Sequence, residues 1–385
     1  MEYKINFIRN SYIRFAEVHK DELIDTFWDR VSKGELILRD EVRKFEDTLA
    51  KYTNTKYGIG VNSGTDALTL SVRALGIGPG DEVICPAHTF IASIYCIVAN
   101  GATPILVDVG PNELIDPERI VSAITEKTKA ILPVHFHGKT CDMDRIMLIA
   151  AKNKLFVIED AAQALGSTYK GQPAGSFGDL GCFSFNTPKL LGSWGDGGGI
   201  VTNNKSLAEK LYLMRNHYNM AQSSIRREDF PTPEIVEWAG KSRLDEIQAA
   251  LLNVKWKYFD QLLARRKEIA DIYCKGLQGL PFKLPEYNEG DVIQEFIIRV
   301  LDSDTRESLK NYLAENGIEI MIRETTPNHK VKNLGLENFN LPITESISKD
   351  ALRLPCYPEL YNEEIEFIIQ KIKDFYYKEQ EIVIE

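Results

Sequence analysis

The stretch Leu155-Phe156-Val157-Ile158-Glu159-Asp160-Ala161-Ala162-Gln163 decides the fold of this chain, and Gly181-Cys182-Phe183-Ser184-Phe185-Asn186-Thr187-Pro188-Lys189 completes it. The apolar run 155–158 is short and unalternating, the pattern of a strand covered on both faces. Two acids follow at once, and a carboxylate at the C-terminal end of a buried parallel strand stands where open α/β sheets place their ligands. Asp160 there needs a cationic partner. A protonated pyridine nitrogen meets that need, and the pair keeps such a ring an electron sink. Lys189 is the matching amine, because desolvation and a neighbouring cation lower a lysine pKa toward that of a nucleophile for a carbonyl. Its turn carries Pro188 and leads to Gly195-Asp196-Gly197-Gly198-Gly199, where backbone folds closely around a small molecule. Singly, an Asp at a strand end reads as a cap and a Lys in a loop as a solvated charge. Together they read as a cofactor site.

Upstream, residues 57–61 are a strand, and Asn62-Ser63-Gly64-Thr65-Asp66 turns it into a helix over 67–75. Such a turn offers unpaired N–H groups and the positive end of a helix dipole, and so reads either as a phosphate cup or as a simple Ser/Thr/Asp cap. Strands are expected at 81–86, 103–107 and 129–134, with helices following Phe90 as far as Asn100, at 117–125 and at 143–153 between them. Short apolar strands alternating with helices mean an α/β fold with a mostly parallel sheet covered on both sides. Helical patterns at 22–32 and 41–52 form an arm and a first helix packed on this domain. Past Lys189 come a strand near 200–202 and a helix over 206–215. The polar run 220–238, with Pro231 and Pro233, has the character of a lid or binding loop. A long helix from 242 to about 278 bends into a second, smaller α+β domain with strands at 295–300 and 319–322 and helices at 304–316, 347–352 and 363–377. The division is a large domain over 1–255, arm included, and a small C-terminal domain over 256–385.

With 385 residues, one core rarely suffices. A formal charge of −10 from 46 basic and 56 acidic side chains argues against a general nucleic-acid binder. No basic-then-apolar leader opens the chain and no apolar run reaches a membrane span, so a soluble cytoplasmic protein is expected. The six cysteines are scattered, without metal or redox spacing.

Six segments in one order, Asn62-Ser63-Gly64-Thr65-Asp66-Ala67-Leu68, Pro86-Ala87-His88-Thr89-Phe90, Glu159-Asp160-Ala161-Ala162-Gln163, Ser184-Phe185 with Lys189, Gly195-Asp196-Gly197-Gly198, and Ser242-Arg243-Leu244-Asp245-Glu246-Ile247-Gln248-Ala249-Ala250, resemble the DegT/DnrJ/StrS family from about residue 30 onward. Its members are pyridoxal 5'-phosphate enzymes of aminotransferase fold type I, mostly acting on nucleotide-linked keto-sugars. The resemblance implies that Lys189 forms the internal aldimine and shuttles the proton, with pyridoxamine 5'-phosphate as the intermediate. It further implies that Asp160 pairs with the pyridine nitrogen, that Gln163 reaches the ring hydroxyl and that Phe90 stacks on the ring. Gly64, Thr65 and Ser184 would hold the phosphate, with Asp66 in the same turn. It implies a homodimer in which Lys241 and Arg243 enter the neighbour's site. Lys241 would meet the phosphate; Arg243 would anchor a substrate carboxylate or phosphate, or only stabilise its helix. Relatives with histidine in place of Lys189 are dehydratases, so lysine here favours transamination, with L-glutamate as the donor by family expectation.

The pattern breaks at Arg323-Glu324-Thr325-Thr326-Pro327-Asn328-His329, where the family commonly reads His-Tyr-Pro and then Pro-Leu-His, and at Tyr218, where it often has glycine. His329 survives as a substrate residue. Arg323 either meets a substrate phosphate or forms a salt bridge with Glu324 or another neighbour. His135 and His137 share one face of the 129–134 strand and its extension, but two ligands without a further cluster make no metal site. The expected activity is amination of a nucleotide-linked keto-deoxysugar for a surface glycan or a glycosylated metabolite. The alternatives are transamination of a small phosphorylated ketone or a cyclitol ketone, a cofactor-binding regulator without turnover, and a dehydratase.

Overall fold

The computed structural model describes residues 3–218, 237–323 and 325–382, residues 378–382 as backbone only. The run 219–236, most of the expected excursion, and Glu324 lie outside the described residues. The strands are β1 (Tyr57–Val61), β2 (Glu82–Pro86), β3 (Thr103–Val107), β4 (Thr128–Ile131), β5 (Phe156–Asp160), a small hairpin of β6 (Thr168–Tyr169) and β7 (Gln172–Pro173), β8 (Leu180–Ser184) and β9 (Gly198–Thr202). Seven of them form one sheet in the order β1-β9-β8-β5-β4-β2-β3. The pairs β2–β3, β2–β4, β4–β5 and β5–β8 are parallel; β9 runs antiparallel to both β1 and β8. The sheet is therefore mostly parallel, as its unalternating apolar strands require.

This topology builds the site. The ends of β2, β5 and β8 share one edge of the sheet, and because β9 is reversed, its start and the end of β1 arrive at that same edge. Asp160, Ser184, the turn after Val61 and the glycines Gly198-Gly199 are thereby gathered, though up to 140 residues part them in sequence.

A second core forms around the antiparallel pair β10 (Phe296–Arg299) and β11 (Ala351–Leu354), covered by the helices Phe259–Leu277, Ser303–Glu315 and Asn362–Ile382. Several expectations are corrected here. Residues 319–322 are no strand: Met321 makes a single bridge with Arg353, and Ile318, just before the run, makes one with Ile5. The helix expected at 347–352 is Pro342–Asp350, and residues 351–352 open β11. The long helix is two, Glu246–Trp256 and Phe259–Leu277, broken at Lys257-Tyr258, where Glu22 takes both side chains.

The N-terminal arm also differs from expectation. Arg9–Val18 is a helix that touches both parts of the chain, its buried Phe15 lying against Trp194, Tyr258 and the Lys255 ammonium. Ile5 joins the second core, Ser11 Oγ donates to Glu359 at 2.7 Å, and Arg14 forks onto Glu364 at 2.6 and 2.7 Å. The helices Lys20–Lys33 and Asp40–Tyr52 do pack on the large domain, against Glu246–Trp256. No helix among the described residues is long and apolar enough to cross a membrane.

Candidate active site

A cleft of about 700 Å³ opens at the sheet edge. Asp160 and Lys189 both line it, with Gly64, Thr65, Phe90, Phe136, Gln163 and Ser184. Asp160 ends β5 nearly buried. Its Oδ2 accepts from Ser93 Oγ at 2.6 Å and its Oδ1 from the Ala162 amide at 3.1 Å. Burial pushes its pKa up despite these donors and the nearby charge of Lys189. A buried carboxylate held by neutral donors and raised by desolvation is one that a cation in the cleft would relieve, and a protonated pyridine nitrogen fits that need.

Lys189 sits in a turn clamped from the small domain. Gln294 accepts from the Leu190 amide at 3.1 Å and donates to the Pro188 carbonyl at 2.9 Å, one contact on each side of the lysine. Beneath the turn, Lys255 donates to the Gly192 carbonyl at 3.0 Å, and burial brings its pKa down to about 8.

The phosphate cup is shaped by absent side chains. Ser63 caps the helix Gly64–Ala74, its Oγ accepting from the Asp66 amide at 3.1 Å, so this helix starts earlier than expected and the amides of Gly64 and Thr65 belong to its first turn. A Cβ on Gly64 would lie 2.7 Å from Ser184 Cβ, and one on Gly198 would lie 2.2 Å from the Ser63 carbonyl oxygen. Only glycine allows the ends of β1 and β8 and the start of β9 to close around so small a space. The helix start is capped, and its first two residues, Gly64 and Thr65, line the cleft.

Gln163 is buried with Oε1 accepting from the His137 amide at 2.7 Å, which leaves its NH2 to act as donor. Phe90 is 60% exposed on the cleft rim, an unusual place for a core aromatic. Asp66 is not on the cleft wall; its Oδ2 accepts from Ser242 Oγ at 2.7 Å, tying the cup to the segment that carries Lys241 and Arg243. Those two residues do not line the cleft of their own chain. Arg243 donates to Asn216 Oδ1 at 3.3 Å, and exposed Lys241 bridges the same Asn216.

On the opposite wall, Arg323, Thr326 and Asn328 face the cleft. Arg323 forms an ion pair with Glu295 at 3.3 Å. His329 is not brought to the cleft: its ring is wholly buried, with Nε2 on Glu345 at 3.0 Å. Asn328 takes the wall position, its amide donating to the Ala87 and Thr89 carbonyls at 3.0 and 2.7 Å.

His135 and His137 do not extend a strand, because β4 ends at Ile131 and His137 turns into the left-handed region at φ 60°. His135 accepts from the Cys141 amide at Nδ1, which fixes the neutral tautomer donating from Nε2 to Glu159 at 2.9 Å. His137 meets Glu295 at 3.0 Å. Among the described residues His88, Glu113 and His137 alone come within 4.8 Å of one another as possible metal ligands. Arg299 already occupies Glu113 at 2.6 Å, and Arg353 and Arg299 add positive charge around His88, a poor field for a dication.

Ser93, Gln294, Glu295 and Lys255 escaped the sequence. Each acts on a partner tens to more than a hundred residues away, and none stands in a local pattern. In the sequence Glu159 stands only as the neighbour of Asp160. It is fully buried and accepts the amides of Gly175, Phe177 and Gly178 at 2.7–2.8 Å, pinning β5 to the loop ahead of β8.

Comparison with known proteins accords with this geometry. The chain is 42% identical over 351 residues, 90% of its length and 93% of the relative's, to a dTDP-3-amino-3,6-dideoxy-alpha-D-galactopyranose transaminase of Aneurinibacillus thermoaerophilus. It is 38% identical over 366 residues, 93% of its length and 95% of the relative's, to a protein of Geobacillus stearothermophilus named pleiotropic regulatory protein. Among solved structures, DesV of S. venezuelae, in complex with a ketimine intermediate, superposes with a TM-score of 0.87 at 34% identity, covering 97% of this chain and 98% of the other. The model of the DegT/DnrJ/EryC1/StrS aminotransferase family matches residues 18–373, and to that family this chain belongs.

Proposed function

We propose that the protein is a pyridoxal 5'-phosphate-dependent aminotransferase that moves an amino group from L-glutamate to a keto carbon of a nucleotide-linked sugar. The observation that carries this is the placement of Lys189 and Asp160 in one cleft beside a glycine-walled helix start. Bound there, the cofactor supplies an electron sink for a carbon–hydrogen bond beside nitrogen. Lys189 would hold the cofactor through its amine, and that nitrogen would take the proton and return it at the neighbouring carbon. Asp160 would keep the ring nitrogen protonated, the Gln163 amide would donate toward the ring hydroxyl, and Phe90 would cover a ring face. The amides of Gly64 and Thr65 and the Ser184 hydroxyl receive the phosphate. The names of the relatives favour a sugar nucleotide over a small ketone, and the retained lysine speaks against a regulator without turnover.

The active unit in this reading is a homodimer. Lys241 and Arg243 stand away from their own cleft, and the helix Lys20–Lys33 exposes Ile24, Phe27, Trp28 and Val31 as one apolar ridge. Lys241 would then meet the partner's phosphate. The six cysteines, none bonded to another, suit a reducing cytoplasmic setting.

The test is the visible spectrum of the protein loaded with cofactor. Glutamate is expected to bleach the band and one keto-sugar nucleotide to restore it, with Lys189→Ala showing neither. A band that glutamate leaves unchanged, or an unaltered spectrum in Lys189→Ala, would overturn the assignment.

A further inference from the structure

Behind the wall that faces Lys189 lies a buried ionic cluster in which charge is shared unevenly. Glu295 is 6% exposed and receives Arg353 Nε at 2.9 Å, His137 Nδ1 at 3.0 Å and Arg323 Nη1 at 3.3 Å. One carboxylate thus faces two guanidinium groups. Although burial opposes it, the charges of Arg353, His137 and Arg323 hold this carboxyl well below the usual carboxylate range. On the far side the ratio reverses, since Arg299 is shared by Glu113 at 2.6 Å and Asp350 at 2.8 Å. Burial brings His88 between them down to about 3, so it adds no charge. Arg353 is buried; Arg323 is about a third exposed and lines the cleft with Asn186, Lys189 and Asn328. Its Nη1 is held by Glu295 and its Nε rests on Met321 Sδ at 2.7 Å, while Nη2 meets no acceptor among the described residues. The Asn328 amide is spent on two carbonyls, so it adds no second donor for a phosphate. What remains is Nη2 of a guanidinium already held in place, a charged donor for a carboxylate oxygen in the cleft.

We propose that Arg323, positioned by Glu295, anchors a carboxylate carried by a reactant: an acidic substituent of the keto-sugar or the amino-acid donor. This rests on the transaminase reading and narrows its substrates. The test uses unreactive ligands on the cofactor-loaded protein, so it stays readable if transamination itself fails. Glutarate stands for the donor, and glucuronate against glucose, each linked to UDP and to dTDP, stands for the sugar; binding is followed by tryptophan fluorescence. The wild type should bind one acid more tightly than its neutral counterpart, and Arg323→Gln should weaken that acid by about 10- to 100-fold while the neutral ligands hold. Arg323→Lys should recover only part of the loss, because an ammonium lacks the planar edge. Glu295→Gln should weaken the same acid and leave the visible band in place, as a positioning residue requires. Loss confined to glutarate assigns the donor; loss confined to glucuronate assigns the sugar. Equal binding of every ligand by Arg323→Gln and wild type, or equal loss of neutral and acidic ones, would refute the anchor.

Discussion

Replacing Gly64 with alanine probes the cup where the fold leaves least room. The new Cβ would lie 2.7 Å from Ser184 Cβ and 3.2 Å from Ser184 Cα and Oγ, 0.7 Å inside the 3.4 Å at which ordinary contact begins. The obstacle includes strand backbone, so β8 or the helix start must yield. Overpacking of this kind costs about 1–3 kcal/mol, a few degrees of melting temperature in a chain of this size. The larger effect falls on the cofactor. Moving the Ser184 hydroxyl and the first helical amides apart misaligns bonds to a charged phosphate worth about 1.5–3 kcal/mol, a roughly 10- to 100-fold rise in the Kd for pyridoxal phosphate. Titration of the apoprotein with cofactor, followed by absorbance, measures it. Gly78→Ala is the control, since its Cβ would meet only the Asn100 carbonyl oxygen at an ordinary 3.6 Å. A Gly64→Ala protein with the wild-type Kd and melting temperature would refute the cup.

Asp160→Asn is expected to act oppositely on the two forms of the protein. Burial raises the folded pKa of Asp160 above 3.8, so the folded apoprotein holds a proton that the unfolded chain has released, and its stability falls as pH rises from 3.8 through the raised value. The apo variant should therefore melt higher than apo wild type at pH 8 and the loaded variant lower than loaded wild type; an apo variant that melts lower contradicts the buried-charge account. Lys189→Ala and Lys241→Glu, each with little activity alone, should regain activity when co-refolded, because a mixed dimer holds one site with both native lysines. Absence of rescue in a verified mixed dimer would place Lys241 outside the partner's site.

The large domain was legible because its signals are local. An unalternating apolar run means a doubly covered strand wherever it occurs, and β1, β3 and the helix Met143–Asn153 fall at the residues expected. The second core was less legible, because its signals are not local. Residues 319–322 carry a strand's composition but meet distant backbone only at single points, Glu319 on Ile5 and Met321 on Arg353, and Arg9–Val18 is held by long-range polar bonds to Glu359 and Glu364.

The sequence by itself determined the fold class, the family, and the lysine and aspartate of the site, since each rests on residue order within a short window. Tertiary structure alone decided which side chains meet. It turned His329 onto Glu345 and Asn328 toward the cleft, carried Asp66 to Ser242, brought Ser93 under Asp160, and set Glu295 behind Arg323. Periodicity states which face of an element is buried. The partner that a buried polar group finds is settled only when distant elements pack, because burial makes an unpaired group costly and packing selects who pays it.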